Sequence, residues 1–496
     1  MVSDLKFFIQ PSASSLLTRV NQFLTEQGIK SYLIGGLVRD MRLGRNTADI
    51  DIAVSADALE IAPKVATALG GKYVLLDEVN RIGRVVLSSK DTKWELDFST
   101  IEGSIEQDLA RRDFTIDAMA IELETAIQSP VLIDPFQGFD DLRQGIIRTV
   151  AETAFPSDPA RLLRAVRLAA ELDFRIESQT ETLIRRYSHL IASVAGERVR
   201  EELLRLLAMP RSGQLLTYLD ELGLLTAMFP ELVQTKGAEQ PKEHFWDVFH
   251  HSIQTVAAVD FLLRQGDWEY ADEEVLSAVP WSAELRQHFD QEVSHGSTRK
   301  SLLKLAALLH DLAKPQTKTI EESGRIRFLG HAKEGATIAT DILERLRFST
   351  KEIKLVEVMI RYHLRPTQMS HEELPSRRAI YRYFRDAGEA GIDILFLSLA
   401  DHLATRGKQL DLAQWQEHVQ MVVYVLARHF DEESLTVPPK LIDGHDLMDK
   451  FGLSPGPKVG EILEAVREAQ AAGEITTQEE AFAYIEHLLI SPSSKK

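Results

Sequence analysis

The sequence predicts an α+β chain, with a small mixed sheet and its helices first and all-helical segments after it. Residues 31–150 alternate short apolar runs that read as strands with runs of helical spacing. Past residue 150 the apolar residues keep helical spacing, with arginines and glutamates on the other face. Two turn-rich stretches, Asp134–Gly145 and the polar residues 234–243, punctuate the chain. The expected segments are 1–150, 151–233, 234–434 and 435–496.

At 496 residues the chain can bury several cores. A hydrophobic content of 44% and a charged content of 27% are those of an ordinary globular protein. No run of ~18 apolar residues occurs, so neither a transmembrane helix nor a membrane partner is expected. The start, Met1-Val-Ser-Asp-Leu-Lys6, lacks a signal-peptide pattern. The absence of cysteine excludes disulfides and thiolate zinc sites and fits a cytoplasmic location. A net charge of −18 excludes a protein that coats nucleic acid non-specifically, but not an enzyme with a local basic groove. The oligomeric state is not legible.

The chain is organised around Tyr32–Val54. Tyr32-Leu-Ile34 reads as a buried strand that breaks at Gly35-Gly36, with a helical segment from Leu37. The next strand carries Asp49 and Asp51 two residues apart. Strand side chains alternate, so both carboxylates face one way while Ile50, Ile52 and Val54 face the core. Paired carboxylates repel unless a cation lies between them, and hard oxygen ligands on a rigid strand suit Mg²⁺ bound together with phosphates. Gly36 lets the backbone approach those phosphates, and Arg39 adds charge-assisted contacts. An Asp-x-Asp pair alone is also common at solvated sheet edges.

Val85–Leu87 and Trp94–Phe98 read as further strands, with Ser88–Thr92 as the turn between them. Glu95 and Asp97 share a face, and Asp97 is either a third carboxylate near the metal or a solvated strand residue. Arg111 and Arg112 stand side by side before Asp113, which suits a triphosphate. Ser157-Asp-Pro159 opens a helix, with Asp158 as N-cap and Pro159 in the first turn. Along that helix Arg161, Arg164 and Arg167 recur at steps of three, opposite Leu162, Leu163 and Val166. A basic stripe at a helix start suits a triphosphate or an RNA backbone.

The strand, the Gly-Gly turn, the Val38-Arg-Asp40 helix, Leu43-Gly44 and Asp49-Ile-Asp51 together resemble the polymerase-β-type nucleotidyltransferases. Within them the chain resembles the class II tRNA nucleotidyltransferases (CCA-adding enzymes) and the bacterial poly(A) polymerases. Arg111–Thr115 resembles the family's Arg-Arg-Asp-Phe-Thr motif, with Asp117 where the family usually has Asn. The resemblance implies a polymerase-β-like head and two-metal, template-independent transfer of C and/or A from CTP or ATP to the 3′ end of tRNA. It implies that Asp49 and Asp51 are catalytic and hold Mg²⁺. It further implies that Gly36, Arg39, Arg112, Arg161, Arg164 and Arg167 position the nucleotide, and that Asp113 braces its motif. Asp158 and Arg161 would read the Watson–Crick edge of the base, although Ser157 stands where the family usually has Glu.

Gly196–Leu207 matches the family's neck. Only twelve residues, Ser99–Ala110, separate the Trp94–Phe98 strand from Arg111. CCA-adding relatives usually carry a longer basic loop there, and relatives without it tend to add only the two Cs. Addition of CC alone and poly(A) synthesis are the alternatives, together with a protein that acts chiefly as a phosphohydrolase.

The last alternative comes from the second half. His251 lies in Phe249–Ile253, His310-Asp311 in an otherwise apolar helix, and Asp401 in Ala400-Asp-His402. A buried helix has little reason to carry adjacent His and Asp unless something pairs with them. Imidazoles and carboxylates together make a divalent-metal site. The order resembles the HD phosphohydrolase superfamily. That resemblance implies one divalent transition metal on His251, His310, Asp311 and Asp401, with His331 and His363 completing a second position. Such a site activates water against a phosphoester. Residues 264–300 read as a surface insertion. From Leu435 the chain resembles the family's RNA-binding tail, and Gly452–Gly460 precedes a helix start that holds RNA phosphate or simply caps the helix. Residues 491–496 are expected to fray.

Overall fold

The computed structural model describes residues 11–47, 49–88, 93–126, 129–369, 374–431 and 440–490. The expected turn after Ser88, the first residues of the tail and the frayed end lie outside the described residues. The chain divides into two compact units, residues 1–194 with 221–227, and residues 195–220 with 228–496.

The first unit is built on one sheet of β1 (Ser31–Ile34), β2 (Asp49–Val54), β3 (Lys72–Asp77), β4 (Ile82–Ser88), β5 (Lys93–Thr100), β6 (Ala120–Glu122) and β7 (Leu132–Ile133). Their order is β3-β4-β5-β2-β1-β6-β7. β2 and β5 run parallel and the other neighbouring pairs antiparallel, so the sheet is mixed as expected. The chain leaves β2 through the helix Ala58–Leu69 and the β3–β4 hairpin, then re-enters beside β2 as β5. A parallel neighbour requires a crossover of this kind. Ile50, Ile52, Leu96 and Phe98 are buried, and the acidic residues between them point the other way.

The helix Gly36–Leu43 starts at Gly35, whose φ of 69° is open to glycine at little cost, and stops at Gly44. Further on, the arginine-bearing helix spans Arg161–Leu172. It begins later than Asp158-Pro159 suggested. Asp158 instead ends the short helix Ala154–Ser157 with an extended backbone, and its carboxylate accepts the Ala160 N–H at 3.3 Å. Two helical turns meet there, and the chain needs Asp158–Ala160 to change direction between them.

The second unit is helical apart from short hairpins. Val248–Leu262, Arg299–Leu309, Thr350–Tyr362 and Gly391–Arg406 pack around one core. Residues 264–300 are more than a surface insertion. Val275, Val279, Leu285 and Phe289 are buried, and Phe289 lies 4.7 Å from Phe396 between ring centroids. The helices Gly444–Phe451, Pro457–Ala471 and Gln478–Ile490 have a core of their own, including Leu447, Ile462, Val466 and Ile485. Ion pairs join this tail to the helix Arg377–Ala387: Arg378 to Glu474, Arg382 to Glu468 and Arg385 to Glu464. Among the described residues no helix is long and apolar enough to cross a membrane.

Candidate active site and a second metal-binding cluster

Register builds the acidic site of the first unit. β2 beside β5 sets Asp49 opposite Glu95 and Asp51 opposite Asp97, so four carboxylates share one face of two strands. Burial pushes the Asp51 carboxyl up to about 6, against the Arg112 guanidinium, which pulls it down. A divalent cation offsets that burial cost, and the oxygen-only donor set fits Mg²⁺.

The Gly35 turn stands directly against this cluster. A Cβ at Gly35 would meet Arg112 Nη1 at 2.9 Å and Asp51 Oδ2 at 3.1 Å, and one at Gly36 would meet Arg39 Nη2 at 3.2 Å. The glycines therefore let the acidic strand and the arginines converge on the same turn. Arg161 lies beside Arg112, because its Nη2 donates to the Arg111 carbonyl at 2.8 Å and its Nη1 to that of Ala154 at 3.3 Å. Asp158 Oδ2 is 3.8 Å from Arg161 Nε. Arg164 Nε donates to Asp113 Oδ2 at 2.9 Å, and Asp113 Oδ1 accepts the Phe114 N–H, so Asp113 braces its motif.

Two of the expected arginines are paired within the protein. Arg39 is turned to protein carboxylates, Asp40 at 3.0 Å and Asp117 at 2.7 Å, with only 11% of its side chain exposed. It works as a strut between its helix and the turn Thr115–Asp117. Arg167 is buried and faces Glu171 at 2.5 Å, because the stripe runs off the open side of its helix by that turn. Asp117 is itself buried, and burial raises its pKa while Arg39 opposes the shift.

The histidine cluster of the second unit also assembles. His251 Nε2 lies 3.0 Å from Asp401 Oδ1 and 3.4 Å from Asp311 Oδ2, and His310 Nε2 lies 3.1 Å from Asp311 Oδ2. On the other side of Asp311, His331 Nε2 is 3.4 Å and His363 Nε2 is 3.9 Å from Oδ1. The Nδ1 N–H groups of His310, His331 and His363 each donate to the backbone carbonyl three residues back, Ala307, Phe328 and Ile360, at 2.6–2.8 Å. That fixes the tautomer of each neutral ring and aims Nε2 toward the cluster. Burial pulls His363 down to about 3, and neighbouring His310 adds to this, so its imidazole is a neutral donor near pH 7. His331 Nε2 is buried without a hydrogen-bond partner. These are the marks of a ligand set, and they fit a divalent transition metal.

Lys314, Gln240 and His244 were missed from sequence. Lys314 Nζ sits 2.6 Å from Asp311 Oδ2 and donates to Gln240 Oε1 at 2.7 Å. His244 lies edge-on to His251 at 5.5 Å. Lys314 and His244, with Phe328, Thr367 and Thr405, line a cleft of about 350 Å³ that opens onto Asp311 and Asp401. The spacing Asp311-x-x-Lys314, in the turn that follows the helix Arg299–Leu309, was the available signal for the lysine.

Comparison with known proteins agrees with this geometry. Residues 31–148 match the poly A polymerase head domain, 173–235 the probable RNA and SrmB-binding site of polymerase A, and 248–406 the HD domain. The A-adding tRNA nucleotidyltransferase of Deinococcus radiodurans is 33% identical, over 92% of this chain and 94% of that one. The CC-adding tRNA nucleotidyltransferase of Thermus thermophilus is also 33% identical, over 92% and 93%. Among solved structures, the Thermotoga maritima CCA-adding enzyme complexed with tRNA-CCA shares the fold. Its TM-score is 0.61 at 23% identity, over 97% of this chain and 96% of that one. The chain therefore belongs to the tRNA nucleotidyltransferase and poly(A) polymerase family, with an HD domain.

Proposed function

We propose that this chain is a template-independent nucleotidyltransferase that adds C and/or A, from CTP and ATP, to the 3′ end of tRNA. The observation that carries the reading is the convergence of Asp51 and Arg112 on the Gly35 turn. The family carries a dependence on a divalent metal, which we assign as Mg²⁺ on Asp49 and Asp51. Held there, the cation would lower the pKa of the attacking 3′-hydroxyl and offset the charge of the departing pyrophosphate. The 3′-oxygen forms the new phosphodiester as the α–β bridge breaks.

The chain's own residues orient the reactants. Gly35 and Gly36 keep the turn open to the phosphates. Arg112 and Arg164 face the triphosphate, each already oriented by a carboxylate, Asp108 at 3.7 Å and Asp113 at 2.9 Å. Arg161 is fixed by two carbonyls and, with Asp158, offers a rigid donor–acceptor edge to the base. Such preorganisation is worth most when it is in place before charge develops. Arg39 and Arg167 support this arrangement from behind. Residues 1–150 act as the head, 151–233 as the nucleotide-selecting neck, 234–434 as the HD domain and 435–496 as the RNA-binding tail. A cytoplasmic location follows from the substrate.

One observation favours addition of CC alone. β5 ends at Thr100 and the next helix starts at Ile105, so four residues stand where CCA-adding relatives usually carry a longer basic loop. The Thermus thermophilus relative is named CC-adding, although the Deinococcus radiodurans one is named A-adding. Labelled CTP alone, ATP alone and both, offered to tRNA lacking its end, separate the readings. Two C residues and no A support CC addition, CCA supports the full activity, and long A tracts would refute both in favour of poly(A) synthesis. The HD cluster suits phosphoester hydrolysis as a second activity, checked with a generic phosphodiester and added Mn²⁺ or Ni²⁺.

A further inference from the structure

β4 carries Arg84, which none of the expected site residues includes. The antiparallel register sets Arg84 opposite Asp97, and the parallel register sets Asp97 opposite Asp51. Three adjacent strands thus present Asp49, Asp51, Glu95, Asp97 and the Arg84 guanidinium on one face. Arg84 Nε and Nη2 donate to the two oxygens of Asp97 at 2.7 and 2.8 Å, and Nη1 donates to Glu95. Glu95 also accepts from Lys93 at 2.5 Å. Asp97 is near enough to push the Asp51 carboxyl up, and Asp49 is near enough to help hold Arg84 charged.

A carboxylate that gives one lone pair of each oxygen to a guanidinium keeps only its outward pairs, and the cation beside it weakens those for a small, geometrically strict metal ion. Yet the pair is not locked away: 29% of the Arg84 side chain and 22% of that of Asp97 are exposed. Pairs this open are held by little net free energy, so the contact can be exchanged.

We infer that Arg84 is a positioning residue of the head: it withholds Asp97 from the metal site, so that Asp49 and Asp51 alone set cation affinity in the nucleotide-free protein. The inference rests on the reading that Asp49 and Asp51 hold the catalytic cation. It gives β4 a part in the site and explains how four carboxylates on two neighbouring strands coexist.

The probe is Mn²⁺, followed by loss of the free-ion electron paramagnetic resonance signal on the full chain without nucleotide. A His310→Ala background silences the histidine cluster. Should that background not fold, the wild-type chain is titrated as two sites. Arg84→Met is expected to bind Mn²⁺ roughly fivefold or more tightly, since one cation is removed and one carboxylate released. Arg84→Lys, which contacts a single oxygen, is expected to fall between and serves if Arg84→Met does not fold. Adding Asp97→Asn to Arg84→Met should return the affinity to within about twofold of the parent. Unchanged affinity in the Arg84 variants overturns the inference. So does a gain that survives Asp97→Asn, because Asp97 is then not the ligand that Arg84 withholds. Asp51→Asn in the same background must abolish head binding. If it does not, the reading of the metal site falls, a failure distinct from that of Arg84 alone.

Discussion

Asp51 contributes a pH dependence to the head. Its carboxyl is raised to about 6, chiefly by burial, with Arg112 opposing. A group with a raised folded-state pKa binds protons that the unfolded chain has already lost, so between about pH 4 and pH 6 it lowers stability as pH rises. Metal binding has the opposite slope, because the cation must displace that proton. Head affinity for Mn²⁺ should therefore be flat above about pH 7 and weaken by up to about tenfold per unit below pH 6, as read in titrations at pH 5, 6 and 7.5. A profile flat down to pH 5 would show that Asp51 is not a ligand. Asp51→Asn should cut CMP incorporation by about 10³-fold or more. The metal-free variant should melt no lower than wild type at pH 7.5, because the substitution removes a buried charge. Gly35 is the matching backbone position. Gly35→Ala forces an unfavourable φ and drives a methyl group onto Arg112, so it should cost about 1–3 kcal/mol in urea melts and raise the KM for CTP.

At the scale of elements, buried ion pairs fix how helices meet. Lys304, in the helix Arg299–Leu309, is fully buried and lies 2.6 Å from Asp260 of the helix Val248–Leu262. Its Nζ also donates to the Met209 carbonyl and to Gln265, and Asp260 accepts from Ser212 and from the Gly213 N–H. The network ties the turn at residues 209–213 to two core helices. Removing one partner leaves a buried charge uncompensated, so Lys304→Met should destabilise the second unit by about 3–5 kcal/mol. Pairing it with Asp260→Leu should recover most of that loss. Urea melts of the two variants check the difference, and equal losses would refute the pairing account. The tail contacts are of another kind. Arg378, Arg382 and Arg385 are 36–50% exposed, so each contributes little alone, and the tail relies on its own core to fold.

For the molecule as a whole, the two candidate donor sets lie in separate compact units. Oxygen ligands on a sheet suit Mg²⁺, and nitrogen-rich ligands inside a helical core suit a transition metal. Purified protein should accordingly retain close to one tightly held transition metal after dialysis against Mg²⁺, read by elemental analysis. That metal should disappear in His310→Ala and persist in Asp51→Asn. A wild-type chain that takes up no such metal would refute the second site. The net charge of −18 accords with this division. The arginines of the head that face Asp51 are oriented by carboxylates rather than spread as a basic coat, so RNA affinity has to come from a local surface.

Much of this was legible before any coordinates. Period-two alternation in Asp49–Val54 is a local property, so the sequence alone placed two carboxylates on one face and three aliphatic residues in the core. Adjacent His310 and Asp311 in an apolar stretch likewise announced a buried polar cluster, although the helix stops at Leu309 and leaves both in the turn after it. What distance along the chain separates, only tertiary structure decided. Arg39 meets Asp117 across 78 residues, a pairing that no local pattern announces. Arg84 meets Asp97 only because a crossover lays β5 parallel to β2 and a hairpin lays β4 beside it. Arg167 carries the same spacing as Arg161 and Arg164, and packing buried it. Residue type and period state which groups the chain can offer to a ligand. Register and burial decide which of those groups the protein spends on itself.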